Sequence, residues 1–587
     1  MRILRYFIGL TFVALLCYIF LGTTLNNLLH FKRNTEDDCK TAHIGILCIN
    51  NTFNVINFYT MLKSICMYQI VPISLHIVAD DHATNILNTL FNSLELRQVT
   101  INVYSVERLP HLQFIDKGSS ELAKLAFPLL VERTVSKMLV IDPDLIFVGN
   151  INLLYSYDKI TSENEILVLE NEKLSSQLFL LNVERLLASS QYTSYFENLD
   201  KYAQPDFRMS SLNELVEHRF INKKLIRWFH VKDVRNDASF KSIYDTISTF
   251  DPNFFSQWNN CLEEKNEPTM DSIIVPEKCS IVPEAYGKLK KYPTLLFIRE
   301  FYHESDPNDV TIVTQMSFDK FSVFELVCER WTGAISVAIY ITEEEFPLAT
   351  DYIERSKTLK NRRNIGYHVA FKKGIYQPIN KLRNIALENV NTPYVLLSDI
   401  DLVPGKNLYN DVKQYISKTK DMNKKALVIP AFETRNDKIQ PPIDVKEWLK
   451  MWDEKAIWPF KIREFKTGHG PTNYDKLRTA NLSYLVKWDH FYEPYVVVKS
   501  TVIRYDNRFV GFAWNKVQQL MELYAADYDF IVLPNTFLTH KFHEKAQDTI
   551  SFFKSENYRW CMAKLFNEFI NYLNEKYHKS IKNVNLN

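Results

Sequence analysis

The segment YVLLSDIDLVPG, residues 394–405, decides how the chain is read. A run of strand-forming residues ends in two aspartates with one isoleucine between them. In an extended chain, residues two apart share a face. Asp399 and Asp401 are therefore expected to aim two carboxylates in one direction at the end of a buried strand. Neighbouring carboxylates repel unless a divalent cation, an arginine or a shared proton lies between them.

Working outward, DVTIVTQM, AISVAIYIT and NIGYHVAFK precede that segment as strands, with FDKFSVFELVCERW and INKLRNIALENV as amphipathic helices. The first half shows the same order. HIGILCI, PISLHIVAD and QVTINVYSV are strands, ATNILNTLFNSL is a helix, and KMLVIDPDLIFVG is an apolar strand ending in Asp142 and Asp144. Strands alternating with helices predict mostly parallel α/β sheets. The fold class is α/β, with two domains in tandem. The boundary falls in 288–308, where KLKKYP and HESDPND are polar and contain proline. The expected partition is a tail (1–5), a membrane anchor (6–22), a stem (23–42), a first domain (43–290) and a second (291–587).

A chain of 587 residues exceeds one hydrophobic core. Its 46% hydrophobic and 24% charged content is ordinary for globular proteins, and a net charge of +1 gives no nucleic-acid footprint. At the N-terminus, Arg2 and Arg5 precede an uncharged apolar run to about Leu21. A cleaved signal peptide is the competing reading. The length of the run and the lack of a small-x-small site favour an uncleaved signal-anchor with the bulk of the chain lumenal. Its shortness suits the thinner membranes of the early secretory pathway. A lumenal setting permits disulfides, and Cys261 with Cys279 is the expected pair. It also makes Asn50 (NNT) and Asn481 (NLS) glycosylation acceptors.

Asp-x-Asp alone is weak, since Asp is common at turns and helix caps. Placement strengthens it, because ligands of open α/β sheets bind beyond the carboxyl ends of the strands. Hard carboxylate oxygens suit Mg2+ or Mn2+, which keep positions open for substrate phosphates. Sheet order, secretory anchor and Asp-x-Asp together point to a sugar-nucleotide glycosyltransferase of the GT-A type.

The second half resembles the glucuronyltransferase domain of the LARGE family, through LRNIA, KKALVIPAFET, KTGHGPTNYDKLRTA, FYEPYVVV, YDNRFVGFAWNK and FIVLPNTFLTH as well as the strands above. The resemblance implies an inverting, Mn2+-dependent transfer of glucuronic acid from UDP-glucuronate to xylose. It also implies a Golgi membrane protein of single-pass type II, with its catalytic domains lumenal and its acceptor a glycan on a secretory glycoprotein of the dystroglycan type. Asp399 and Asp401 are then metal ligands, completed by His540, with His543 as the alternative. Arg383 and Asn384 are placed to meet the nucleotide. Arg435, Arg478 and Lys516 are candidates for the glucuronate carboxylate, which a cation would hold. For the general base, Glu493 and Asp506 both qualify. Glu493 is preferred, because its aromatic neighbours are expected to raise its pKa. The glycines around His469 suggest backbone passing close to a ligand.

Residues 43–290 resemble the family's xylosyltransferase domain more faintly, through PISLHIVAD, KMLVIDPDLIFV and Lys124 in the helix before that strand. Asp142 and Asp144 carry over as metal ligands, with UDP-xylose as the implied donor. Beyond them the pattern frays. SSQLFLLNVERL loses the family's Thr-Gly, SSLNELVEH its Asp-Gln-Asp, and CSIVPEAYGKLKKYP its metal-binding His-Trp. No glycine lies between Gly149 and Gly287, against seven in the second half. Two active domains would alternate xylose and glucuronate. An active second domain alone would add single glucuronates, and loss of both activities would leave a lumenal binding module.

Overall fold

The structure, a computed structural model, describes residues 41–585 except 50–53, 68, 70, 95, 97, 107–119, 132–133, 149–150, 152–165, 172–173, 191, 193–217, 222–226, 231–246, 248–275, 287–291 and 545. The expected anchor, Asn50 and Cys261 lie outside the described residues. Among those described, no helix is long and apolar enough to cross a membrane. The chain divides into two compact units, 1–48 with 60–78 and 96–264, and 49–59 with 79–95 and 265–587.

In the first unit β1 (Ala42–Cys48), β2 (Ile73–Ala79), β3 (Val99–Ser105), β4 (Lys137–Ile141), β6 (Ile166–Asn171), β7 (Leu174–Asn182) and β8 (His218–Ile221) form one sheet, while β5 (Leu145–Val148) pairs with β9 (Arg227–His230). The sheet order is β3-β2-β1-β4-β7-β6-β8. β1 and β4 run parallel, and β4 meets β7 antiparallel. All seven residues of β2 are buried, which is why ISLHIVA reads as a nearly continuous apolar run.

The second unit repeats this arrangement. Its strands are β10 (Thr294–Leu295), β11 (Val310–Ser317), β12 (Ile335–Ile341), β13 (Ile365–Phe371), β14 (Tyr394–Leu397), β15 (Leu402–Pro404), β16 (Lys425–Ile429), β17 (Ala431–Thr434), β18 (Ile457–Pro459), β19 (Tyr484–Leu485), β20 (Tyr495–Lys499), β21 (Asp529–Val532) and β22 (Leu538–His540). The large sheet has the order β10-β13-β12-β11-β14-β20-β16-β21-β19. β13, β12, β11 and β14 are parallel, and β20 pairs antiparallel with β14. Strand order thus reverses direction at β11 and β14, the position where α/β sheets open a crevice for ligands.

Every residue of β12 and β13 is buried, so helices must cover this part of the sheet. One such helix is α2 (Ile379–Glu388), after α1 (Phe321–Arg330). Its apolar positions Leu382, Ile385 and Ala386 recur at helical spacing, and all are buried. Ser336 Oγ in β12 ties α2 down by donating to Ala386 O at 2.7 Å. Truncating Leu382, which has no exposed surface, removes about 3 kcal/mol.

A second, smaller sheet has the order β15-β22-β17-β18. Residues 276–286, read from the sequence as the end of the first domain, belong to the second compact unit. Cys279 is disulfide-bonded to Cys561, in α4 (Glu556–Tyr577), which follows α3 (Val517–Ala525). This corrects the expected Cys261–Cys279 pair. Nearness in sequence was the wrong guide, because tertiary packing brings together two cysteines separated by 282 positions.

Candidate active site

The two aspartates after β14 sit on a turn. β14 stops at Leu397, and Leu402 N closes the turn by donating to Asp399 O at 3.2 Å. The chain then re-enters a strand as β15. The expectation that extended geometry alone would align the pair is corrected here, since Asp399, Ile400 and Asp401 all lie outside a strand.

β15 pairs antiparallel with β22, setting Leu402 opposite His540. Lys541 N also donates to Asp401 O at 2.9 Å. This register puts His540 Nε2 3.3 Å and His543 Nε2 2.7 Å from Asp401 Oδ2. Ligand atoms of Asp401, His540 and His543 lie within 4.8 Å of one another. One carboxylate oxygen and two imidazole nitrogens at this spacing fit a divalent cation. Burial would raise the Asp401 pKa, but the two histidines outweigh it and hold the carboxyl well below its ordinary value. Hydrogen bonding to Asp401 in turn raises His543.

Asp399 keeps different company. Arg383 Nη2 donates to its Oδ1 at 2.7 Å, Tyr495 Oη donates to Oδ2 at 3.0 Å, and Lys516 Nζ lies 3.6 Å from Oδ2. Burial raises this carboxyl too, and Arg383 with Lys516 brings it below the usual carboxylate value against repulsion from Asp401. Lys516 also lies 3.9 Å from the centre of the Tyr495 ring.

Arg383 is buried and fully engaged, donating from Nη1 to Asn380 Oδ1 at 3.1 Å and Asn515 Oδ1 at 2.9 Å. Asn384 is engaged elsewhere. Its Nδ2 donates to Tyr505 O and Asn507 Oδ1, and its Oδ1 accepts from Tyr505 N. Its amide therefore holds the 505–507 loop against α2.

Glu493 lies just before β20, with its N–H donating to Gly468 O at 2.9 Å and its Oε1 3.3 Å from His469 Nε2. Its pKa is lowered, contrary to the expectation from its aromatic neighbours. Burial does push it up, but Lys516 and His469 outweigh that. Asp506 is committed to its own loop, accepting from Arg508 Nε at 3.0 Å and Nη2 at 2.6 Å.

Of the three cations considered for glucuronate, only Lys516 reaches the carboxylate cluster. Arg435 is exposed. Arg478 pairs with Asp453 and covers the Trp452 ring. Asn481 is exposed, as an acceptor for glycosylation must be. In the first unit, Lys124 Nζ lies 2.5 Å from Asp142 Oδ1, and Asp144 follows within the same turn.

Three residues at the site escaped the sequence reading. Tyr495 and Asn515 sit within YEPY and FAWNK, where nothing signals that the tyrosine donates to Asp399 and the amide accepts from Arg383. Glu433, in AFET, is buried on β17 directly opposite His540. It accepts from Trp458 Nε1 at 2.6 Å.

A family described as "Glycosyl-transferase for dystroglycan" matches residues 309–377 and 355–578. The chain is 30% identical over 615 residues to the xylosyl- and glucuronyltransferase LARGE2s of Danio rerio, covering 92% of this chain and 82% of that protein. It is 31% identical over 609 residues to the LARGE2s of Gallus gallus, with the same coverage. Among solved structures, apo mouse xyloside xylosyltransferase 1 aligns at 15% identity and a TM-score of 0.25, over 31% of this chain and 86% of that one. The chain belongs to the LARGE family of xylosyl- and glucuronyltransferases, and it is a glycosyltransferase.

Proposed function

We propose that the second unit transfers glucuronic acid from UDP-glucuronate to xylose with inversion, in a Golgi enzyme anchored by residues 6–22. The observation that carries this reading is the trio of Asp401, His540 and His543 beside Asp399. These residues would hold Mn2+, which tolerates imidazole ligands better than Mg2+ does. When bound, the cation would offset charge developing on the departing diphosphate. Lys516 supplies a fixed positive charge next to the site, suited to the donor's uronate carboxylate. Glu493 is the general base. Its lowered pKa keeps it ionised at neutral pH, ready to take the acceptor hydroxyl's proton as that oxygen attacks the anomeric carbon and UDP departs with the bonding electrons. The disulfide is in keeping with a lumenal location.

The first domain of the sequence partition, 43–290, is read as the xylosyltransferase partner, with Asp142 and Asp144 at its strand end and UDP-xylose as donor. Together the two activities would build a xylose–glucuronate repeat on a dystroglycan-type glycan, the acceptor that the matching family's description names. A second reading, with glucuronate transfer as the sole activity, is favoured by the loss from the first half of the family's Thr-Gly, Asp-Gln-Asp and His-Trp segments.

The test is a transfer assay on the full-length protein with Mn2+, UDP-glucuronate or UDP-xylose, and xyloside or glucuronide acceptors, scored by product mass. Glucuronate transfer lost in Asp401→Asn supports the proposed site. Xylose transfer lost in Asp142→Asn supports two activities, and its absence from the wild type leaves the single-activity reading. No transfer of either sugar by folded, metal-loaded protein would reject both.

A further inference from the structure

Glu493 and His469 come from separate segments, and the contacts between those segments are numerous. Glu493 N donates to Gly468 O, Thr472 Oγ1 bonds Tyr492 Oη at 2.9 Å, and Tyr484 Oη donates to Thr472 O at 2.8 Å. The loop around His469 is tightly folded. A Cβ on Gly468 would come within 2.3 Å of the Phe465 ring, so a side chain here would have to displace that ring. The His469 ring is 2% exposed, and its edge meets the Phe460 ring at 5.0 Å. The same Phe460 packs on His540 at 5.0 Å, joining the histidine to the wall of the site.

His469 Nε2 is buried and makes no hydrogen bond of ordinary geometry, and the nearest carboxylate oxygen, Glu493 Oε1, lies 3.3 Å away. That distance is long for a strong hydrogen bond, as catalytic contacts often are before substrate tightens them. Burial lowers the His469 pKa and outweighs the opposing pull of Glu493, so the ring is neutral and can donate from Nε2.

We propose that His469 is the positioning residue for the general base: it holds Oε1 of Glu493, so that Oε2 is presented to the acceptor hydroxyl. This rests on the reading of Glu493 as base in glucuronate transfer. The acceptor proton passes to Oε2, the acceptor oxygen bonds the anomeric carbon, and the bond from that carbon to the diphosphate breaks. His469 keeps its proton throughout. The titratable groups acting on Glu493 are Lys516, His469 and Asp399, and those acting on His469 are Glu493, Lys516 and Glu433.

The experiment compares His469→Leu, His469→Gln and Glu493→Gln in the full-length protein. It measures kcat and donor KM across pH, with thermal unfolding as the check on folding. His469→Leu is expected to lower kcat about 10- to 100-fold with donor KM changed less than about twofold, since orientation and not donor binding is lost. Its acidic limb should move to higher pH, because the influence of His469 that helps lower the Glu493 pKa is gone. Glutamine carries an amide near the place of Nε2 and should recover part of both effects. Where His469→Leu does not fold, His469→Asn serves, as its shorter amide cannot reach Oε1. An unchanged kcat in His469→Leu overturns the proposal. So does an equal loss in the Leu and Gln variants with an unmoved acidic limb, the result of a merely structural role. Wild-type activity in Glu493→Gln overturns the assignment of the base itself, and no glucuronate transfer by the wild type overturns the functional reading beneath it.

Discussion

Arg383, on α2, donates to Asp399 Oδ1 at 2.7 Å from a guanidinium that is otherwise shared between Asn380 and Asn515. One buried cation therefore organises three segments around the carboxylate. Arg383→Met keeps the stem and removes the charge, leaving a part-buried carboxylate near Asp401. Breaking such a pair costs about 3 kcal/mol. Denaturant unfolding in metal-free buffer should show that loss. Arg383→Lys should fall between the two, since an ammonium cannot reproduce the guanidinium fork. A loss below about 0.5 kcal/mol for the methionine variant would mean that Tyr495 and Lys516 suffice to hold Asp399.

The sequence left His540 and His543 as alternatives, whereas the structure brings both to Asp401 Oδ2. If both serve as ligands, His540→Ala and His543→Ala should each weaken Mn2+ binding by about tenfold or more. The rise in unfolding temperature on titrating Mn2+ reads this directly, since a ligand of the folded state stabilises it by mass action. A variant that retains the full Mn2+-induced rise excludes that histidine from the site.

Much of the fold was legible because β2, β12 and β13 are buried along their whole length and so appear as uninterrupted apolar runs. The aspartates at the end of β14 stood out for the same reason, charge ending an apolar run. What the sequence could not give was direction. Asp399 and Asp401 face separate sets of partners because the chain turns between them, and alternation says nothing about a turn. Glu493 was misjudged electrostatically. Its aromatic neighbours are visible in YEPY, but Lys516, which outweighs burial together with His469, lies in another segment. The partner of Cys279 was hidden for the same reason, in a helix at the far end of the chain.

The first unit holds a polar network whose pH response is predictable. His76, on β2, bonds His43 Nδ1 at 3.0 Å and Ser74 Oγ at 3.2 Å through Nε2, and Tyr104 Oη at 3.1 Å through Nδ1. Burial, helped by His43, pushes its pKa down to about 4. The unfolded chain binds this proton near pH 6.5 and the folded one does not until near pH 4. Stability is therefore full above about pH 6.5 and declines as pH falls through that window, by on the order of 3 kcal/mol. Unfolding followed from pH 7 to 4.5 should show the decline, and His76→Gln should make it shallower, leaving the share of His43 and His368, whose pKa values burial also lowers. An equal slope in the variant would assign the decline to other groups.

The disulfide supports the turn that carries Asn515 and Lys516 to the site. Ala513 and Trp514 hold left-handed backbone angles, with φ of 77° and 59°, which cost energy for residues other than glycine. Such a turn persists only where its surroundings fix it. α4 provides that fixture: Tyr558 Oη accepts from Phe512 N at 3.0 Å, and Trp514 lies flat on Phe566 with ring centres 4.7 Å apart. Cys561, on the same helix between Tyr558 and Phe566, ties it to Cys279. Cys561→Ser should thus lower stability by about 2–4 kcal/mol. It should also lower glucuronate transfer severalfold at temperatures where the protein stays folded, because Lys516 loses its fixed position. The paired measurement is the unfolding midpoint and the transfer rate, with and without reductant. A lowered midpoint with an unchanged rate would confine the disulfide to stability and detach α4 from the working of the site.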